Sequence, residues 1–369
     1  MKQTRVPITA WPIQSAGLIV VACVVAALLG GSQRSPHKAV LAVGDVASLN
    51  SALSAAHDGD TILLKSGVYS GVRASNLSFD QNVTIRSENP KARAQLTNFA
   101  IRKSKGLTFE DLEFAAQGPS YESFIAVDSS ALEFRRIFVH GSLDGDTSND
   151  GQGIGILRGR NIRIVDSEFR QLHRAVSMSQ SESIFVIGNV FQDLRTTGVV
   201  GAEVMHVEIS DNDFSSFHPQ TADHPDAVQF LTAGTSQTTR NIVVRNNLIH
   251  RGEGKATQGI FFRDQVGTLP YQDVVIQGNH IIGTGYGALY VIGARNLHVS
   301  DNVLVSNPGK ENRTWMIIKN VDGGLVADNQ AISITFENVE NLKQERNRLN
   351  KPANDEGRAA LKAWEAARR

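Results

Sequence analysis

Residues 223–226 read Asp223-His224-Pro225-Asp226, one imidazole between two carboxylates with a proline fixing the backbone. Histidine is the side chain best suited to carry protons near neutral pH, and Lys255 is a second candidate base. Gln229, Arg263 and Lys319 are donors that neutralise a carboxylate, the guanidinium through two parallel hydrogen bonds. Tyr290 offers a phenol that gives or returns a proton, Phe261 a flat apolar platform, and Asp264 follows Arg263 directly. Together these groups suit proton removal from a carbon beside a carboxylate. Plainer readings stand next to this one. The Asp-His-Pro-Asp run also suits a turn, and Arg263 has Asp264 and Glu253 as structural partners. His140, His173, His206, His280 and His298 are scattered and read as structural or surface groups, with His250 held in reserve. Asp144, Asp146, Asn149 and Asp150 have the oxygen density of a Ca2+ site without the full spacing of a known calcium loop. A solvated acidic loop is the alternative.

The chain must first supply a scaffold for these residues. Its 369 residues balance 37 Lys and Arg against 37 Asp and Glu, with 20% charged and 41% hydrophobic residues. That composition folds, and its neutral charge argues against a nucleic-acid binder. Cys23 is the only cysteine, which excludes a disulfide scaffold and a cysteine-ligated metal. After Lys2 and Arg5 no charge occurs until Arg34, and the apolar density peaks from Ala16 to Leu29. This reads as a signal peptide or an uncleaved membrane anchor; Val20-Val21-Ala22-Cys23 fits a lipoprotein box only loosely. The expectation is an exported protein, secreted or anchored in the inner membrane facing outward, and monomeric. The domains expected are residues 1–38 as signal or anchor plus linker, 39–350 as the main fold, and 351–369 as a helical tail. In that tail Leu361 and Trp364 share a face that would cap the end of the fold.

From residue 82 a short pattern recurs: an alternating apolar strand, then Asp or Gly, then Asn. Clear copies are His206-Val-Glu-Ile-Ser-Asp-Asn212, Asn241-Ile-Val-Val-Arg-Asn-Asn247 and Asn296-Leu-His-Val-Ser-Asp-Asn302. The recurring interval of roughly 22 to 25 residues with period-2 strands means a solenoid of β-coils, about ten or eleven of them. Asn suits the turn because it tolerates the left-handed conformation and can bond its counterpart in the next coil. A second strand precedes each copy, as in Val228-Gln-Phe-Leu, Ile260-Phe-Phe-Arg and Leu289-Tyr-Val-Ile. Its first and third residues face the core, its second and fourth the outside.

These repeats, with the opening run Leu49–Tyr69, resemble the pectate-lyase-like superfamily of right-handed parallel β-helices over about residues 44 to 350. The resemblance implies an all-β, single-stranded right-handed parallel β-helix with an N-terminal capping helix and a short C-terminal helix. It further implies an Asn ladder between the second and third sheets, and a first sheet that lines a substrate groove. The superfamily holds lyases, C5-epimerases, hydrolases and non-enzymes.

Extra loop length falls at residues 141–152, 215–226, 250–258 and 265–272, and adjacent coils bring the later insertions together. Outward positions then form columns: Gln229, Phe261 and Tyr290 in one, and Leu231, Arg263, Ile292 and Lys319 in the next. The acidic 144–150 loop should lie three coils away, roughly 15 Å at sheet spacing. β-Elimination on a uronic acid fits such a surface. Arg263, Gln229 and Lys319 would neutralise the sugar carboxylate, His224 or Lys255 would take the C5 proton, and Tyr290 would protonate the leaving oxygen. Asp223, Asp226, Phe261 and Asp264 would bind substrate. An epimerase uses almost the same parts. A hydrolase needs two presented carboxylates, and the Asn-Thr-Asp and Asp-Asp segments of the pectin hydrolases are missing here. The expected partner is an acidic polysaccharide, the expected enzyme a lyase, with a glycan-binding envelope protein as the non-enzymatic alternative.

Overall fold

The computed structural model describes residues 38–116, 118, 124–285, 287–309 and 314–367. The expected signal or anchor segment lies outside the described residues. Among the described residues no helix is long and apolar enough to cross a membrane.

Each coil contributes three strands, as in Gln152–Leu157, Arg160–Val165 and Glu168–Arg170. First and second strands form one sheet of 21 parallel strands folded along its length, and the third strands form a parallel sheet of 12. That is slightly more than the ten or eleven coils expected, because the opening strand Val68–Ser70 already belongs to the third sheet. Inward residues stack on their own kind: Phe169, Phe191 and Phe214 place ring centroids 4.8 and 4.6 Å apart on successive coils. Such columns follow from the near-constant spacing of adjacent strands.

The turn between second and third strands divides its work between two neighbouring residues. Asp211, Asn246 and Asp301 hold φ of 59°, 53° and 58°, and Gly188 and Gly278 fill the same left-handed site on other coils. The residue after each is the ladder Asn. Asn212 Nδ2 donates to Asn247 Oδ1 at 2.9 Å, and Asn247 Nδ2 donates to Asn279 Oδ1 at 2.9 Å. The same oxygens accept the backbone N–H of Asn212 and of Asn247, both at 3.0 Å. Asn247 Nδ2 also reaches the Ile209 carbonyl, so the amide is satisfied although fully buried. The expected single Asn with both duties is therefore a pair of residues with one duty each.

At the N-terminal end α1 (Val46–Ala55) opens with a capping box of Asp45 and Ser48 and buries Leu49, Ala52 and Leu53. The tail helix α2 (Arg358–Ala367) does not cap the last coil as expected. Leu361 and Trp364 pack instead on Leu248, Ile282 and Val305, outward residues of three successive third-sheet strands. That apolar patch on the flank is the seat of α2. The last coil stays open, with Leu349 73% exposed.

Replacing Asn247 by Ala removes one acceptor from two buried donors of Asn212 and one donor from Asn279. We expect a loss of about 2 kcal/mol or more in unfolding free energy, read by denaturant titration of the purified domain. A variant as stable as the parent would show that the ladder follows the fold without stabilising it.

Candidate active site on the first sheet

The loop of residues 216–225 connects strand Asp213–Ser215 to strand Asp226–Leu231. Its end is clasped by Arg195 from the previous coil, whose Nε and Nη2 donate to Asp223 Oδ2 and Oδ1 at 2.8 and 3.1 Å. This bidentate pair holds the Asp223 carboxyl below the usual carboxylate range. Arg195 Nη1 also lies 3.5 Å from the Thr147 carbonyl, so the acidic loop reaches over the intervening coils to the same guanidinium. The expected separation of roughly 15 Å holds for the strands; the loops themselves meet.

Asp223 thus fixes a loop, and the carboxylate that serves His224 is Asp226. It is wholly buried, and its Oδ2 lies 2.9 Å from His224 Nδ1 and 2.6 Å from Gln229 Nε2. Gln229 Nε2 donates to that oxygen, and with Asp226 ionised the His224 Nδ1–H donates to it as well, while Oδ1 is buried without a hydrogen-bond partner among the described residues. The neutral ring therefore keeps its lone pair on Nε2. Burial raises the Asp226 pKa, and the hydrogen bonds from His224 and Gln229 offset that rise only in part. The Asp226 hydrogen bond raises the His224 pKa, outweighing burial and the nearby Arg263. The His224 ring stands edge-on over Phe261, centroids 5.4 Å apart, which explains why an outward phenylalanine is only 7% exposed.

Register pairing bears out both columns: Gln229 beside Phe261 beside Tyr290, and Leu231, Arg263, Ile292 and Lys319 in line. Next to them lies a cavity of about 420 Å³ walled by His173, Arg174, Thr197, His224, Phe261 and Arg263. Among the described residues no carboxylate lies within ion-pair distance of Arg174 or Arg263, so Arg263 does not pair with Asp264 or Glu253. Both are exposed. His173 is the second imidazole. Gln152 Nε2 donates to its Nδ1 at 2.6 Å, which places the proton of the neutral ring on Nε2. Burial, then Arg195 and Arg174, lower its pKa. The cavity thus holds two histidines with opposite tautomers and opposite shifts.

His173 and Arg174 were not singled out in the sequence. Arg174 opens its strand in register with Gln152, Thr197 and, one coil on, Asp226. The strand-opening positions therefore form a third column, whose signal in the sequence is the first residue of each first-sheet strand.

Several expected site residues go elsewhere. Lys255 Nζ donates to the Pro219 carbonyl at 3.0 Å, on the far side of the 216–225 loop from His224. Asp264 accepts from Thr232 Oγ1 and from the backbone N–H groups of Gly267 and Leu269, because the 264–270 loop needs those donors satisfied. Lys319 pairs with Glu337 of the next coil at 2.5 Å. Tyr290 packs its ring 5.8 Å from Phe261, outside the cavity, and burial raises its pKa. In the acidic loop Asp144 accepts from Ser142, Asn149 and the Asp146 backbone, and Asp146 accepts from the Ser148 backbone. Burial moves the Asp150 carboxyl up to about 6. Among the described residues no three His, Cys, Asp or Glu side chains converge on a metal position, these three included.

Comparison with known proteins follows the fold. The mannuronan C-5 epimerase A-module of Azotobacter vinelandii superposes with a TM-score of 0.51 at 14% identity, over 84% of this chain and 90% of the module. The lacto-N-biosidase of Eubacterium ramulus gives 0.51 at 10% identity, over 85% of this chain and 67% of that one. The Dettilon tailspike protein gives 0.53 at 13% identity; the match takes in 78% of this chain and 58% of the tailspike. No curated protein matches the sequence. At these identities the likeness is one of fold. The family model described as right handed beta helix region matches residues 123–352. Its match spans most of the coils described above, and the chain belongs to that family of right-handed β-helices.

Proposed function

We propose that this chain is an exported lyase that cleaves a uronic-acid-containing polysaccharide by β-elimination in the cavity between His173, His224 and Arg263. One observation carries the reading: a histidine made more basic by a buried carboxylate shares a cavity with two arginines that have no carboxylate of their own. Asp223 also lines the cavity but is held by Arg195, so Arg174 and Arg263 are left without a counter-anion, and a sugar carboxylate supplies one. Arg263 and Arg174 would neutralise it and so acidify the C5 proton. His224 Nε2 takes that proton; the C5–H electron pair becomes the C4=C5 double bond, and the C4–O4 bond breaks. The His224 imidazolium then supplies the proton to O4, leaving the ring as it began. His173, neutral and carrying Nε2–H, donates a hydrogen bond to the negative charge that develops on the carboxylate.

Epimerisation is the second reading, favoured by one specific feature. Two imidazoles, one poised to accept a proton and one to donate, are what inversion at C5 requires, and one structure of similar fold is named a mannuronan C-5 epimerase. Hydrolysis finds less support, since Asp223 is engaged by Arg195, Asp226 lies beneath His224, and Asp264 is bound into its own turn.

Two outcomes test the proposal. Arg263→Ala should lower kcat by about 10²-fold or more, followed as enone absorbance, with an unchanged melting curve because the side chain is exposed. Retained turnover would remove Arg263 from the chemistry. The second test is pH. A base works unprotonated, so activity falls as pH drops through the raised His224 pKa. Asp226→Asn removes the cause of that rise, so the acid limb should move to lower pH, and the His224 ring should titrate lower by NMR. A limb that stays in place while the NMR titration moves would assign the base elsewhere.

A further inference from the structure

The 216–225 loop is a wall with a chamber on each side. Beyond it, away from His224, lies a second cavity of about 640 Å³ that meets the first along Ala222 and Asp223. Its cationic groups are Arg195, His218 and Lys255. Asp223 answers Arg195, and His218 faces Asp193 at 3.4 Å. Lys255 is different. Its ammonium has a carbonyl neighbour, Pro219 at 3.0 Å, and among the described residues no carboxylate lies within ion-pair distance. The chamber is therefore lined by an ammonium group that no carboxylate answers.

We propose that this second chamber is an anionic sugar subsite, in which Lys255 binds the carboxylate of another uronic acid of the same polymer chain. The inference rests on the acidic-polysaccharide reading above and deepens it. The polymer would have to be acidic at more than one nearby residue, which favours a polyuronide over a chain with isolated uronic acids. Lys255 lies just before strand Gln258–Arg263, and Arg263 ends it. The strand rise sets the backbones of Gln258 and Arg263 roughly 17 Å apart, longer than one sugar ring. The subsite therefore acts on chains of several sugars and leaves the shortest substrates untouched. Lys255 would be a binding residue rather than the base expected from the sequence, since it lines the chamber on the other side of the 216–225 loop from His224.

The test uses the purified protein and its Lys255→Ala variant, an exposed position whose loss leaves the core intact. Retention in native gels cast with polygalacturonate, polymannuronate or polyguluronate measures binding without requiring turnover. Size-fractionated oligomers of the retained polymer then give KM and kcat by length. We expect Lys255→Ala to weaken retention and to raise KM about tenfold on long oligomers, with kcat unchanged and no change on the shortest substrate. Equal effects at all lengths, or none, would overturn the subsite while leaving the lyase reading intact. Retention that depends on Lys255 without any turnover would keep the subsite and remove the lyase. No retention by any of the three polymers in either protein would overturn both.

Discussion

Everything in this molecule depends on coils stacking in one register at the spacing of a parallel sheet. The ladder from Asn189 to Asn347 enforces it, because from Asn212 onward each amide oxygen accepts two donors from the preceding coil. A slip of one residue would break several buried hydrogen bonds at once and turn core side chains outward. With the register fixed, residues far apart in sequence become neighbours at known offsets. Arg174, Thr197 and Asp226 share a column for this reason alone.

The stack also explains why chemistry collects on one flank. Turns beside the ladder are short and fully committed to hydrogen bonding. The connections from the third sheet back to the first are free to lengthen, and they carry the 141–151 and 216–225 loops over the first sheet. The 216–225 loop carries His224 over Phe261 and against the buried Asp226, whose hydrogen bond makes the ring more basic despite its partial burial. Arg195 ties both loops to one guanidinium and sets the wall between the two chambers.

The sequence shows the solenoid clearly, since a period-2 pattern repeated with Asn at one turn leaves few other folds. It also shows which strand residues point outward, and Gln229, Phe261 and Arg263 stand where alternation puts them. Loop conformations are less legible, because no periodicity constrains them. Asp223 and Asp226 look equivalent in the sequence, yet one meets Arg195 and the other disappears beneath His224. Lys255 and Asp264 sit in loops whose backbone groups claim them. His173 looked like one scattered histidine among several, and only the three-dimensional stack places it across from His224. The tail helix reads correctly as a helix with Leu361 and Trp364 on one face, but its seat depends on an outward patch contributed by three separate coils.

The most direct test of the central claim is proton NMR combined with enone absorbance on the soluble chain in deuterated water, across a panel of polyuronides. The account predicts a rise in absorbance with one of them and the appearance of a C4=C5 olefinic signal. Deuterium at C5 without chain cleavage would assign the same cavity to epimerisation. Unchanged polymers throughout, with neither double bond nor deuterium, would contradict the claim that this cavity removes the C5 proton of a uronic acid.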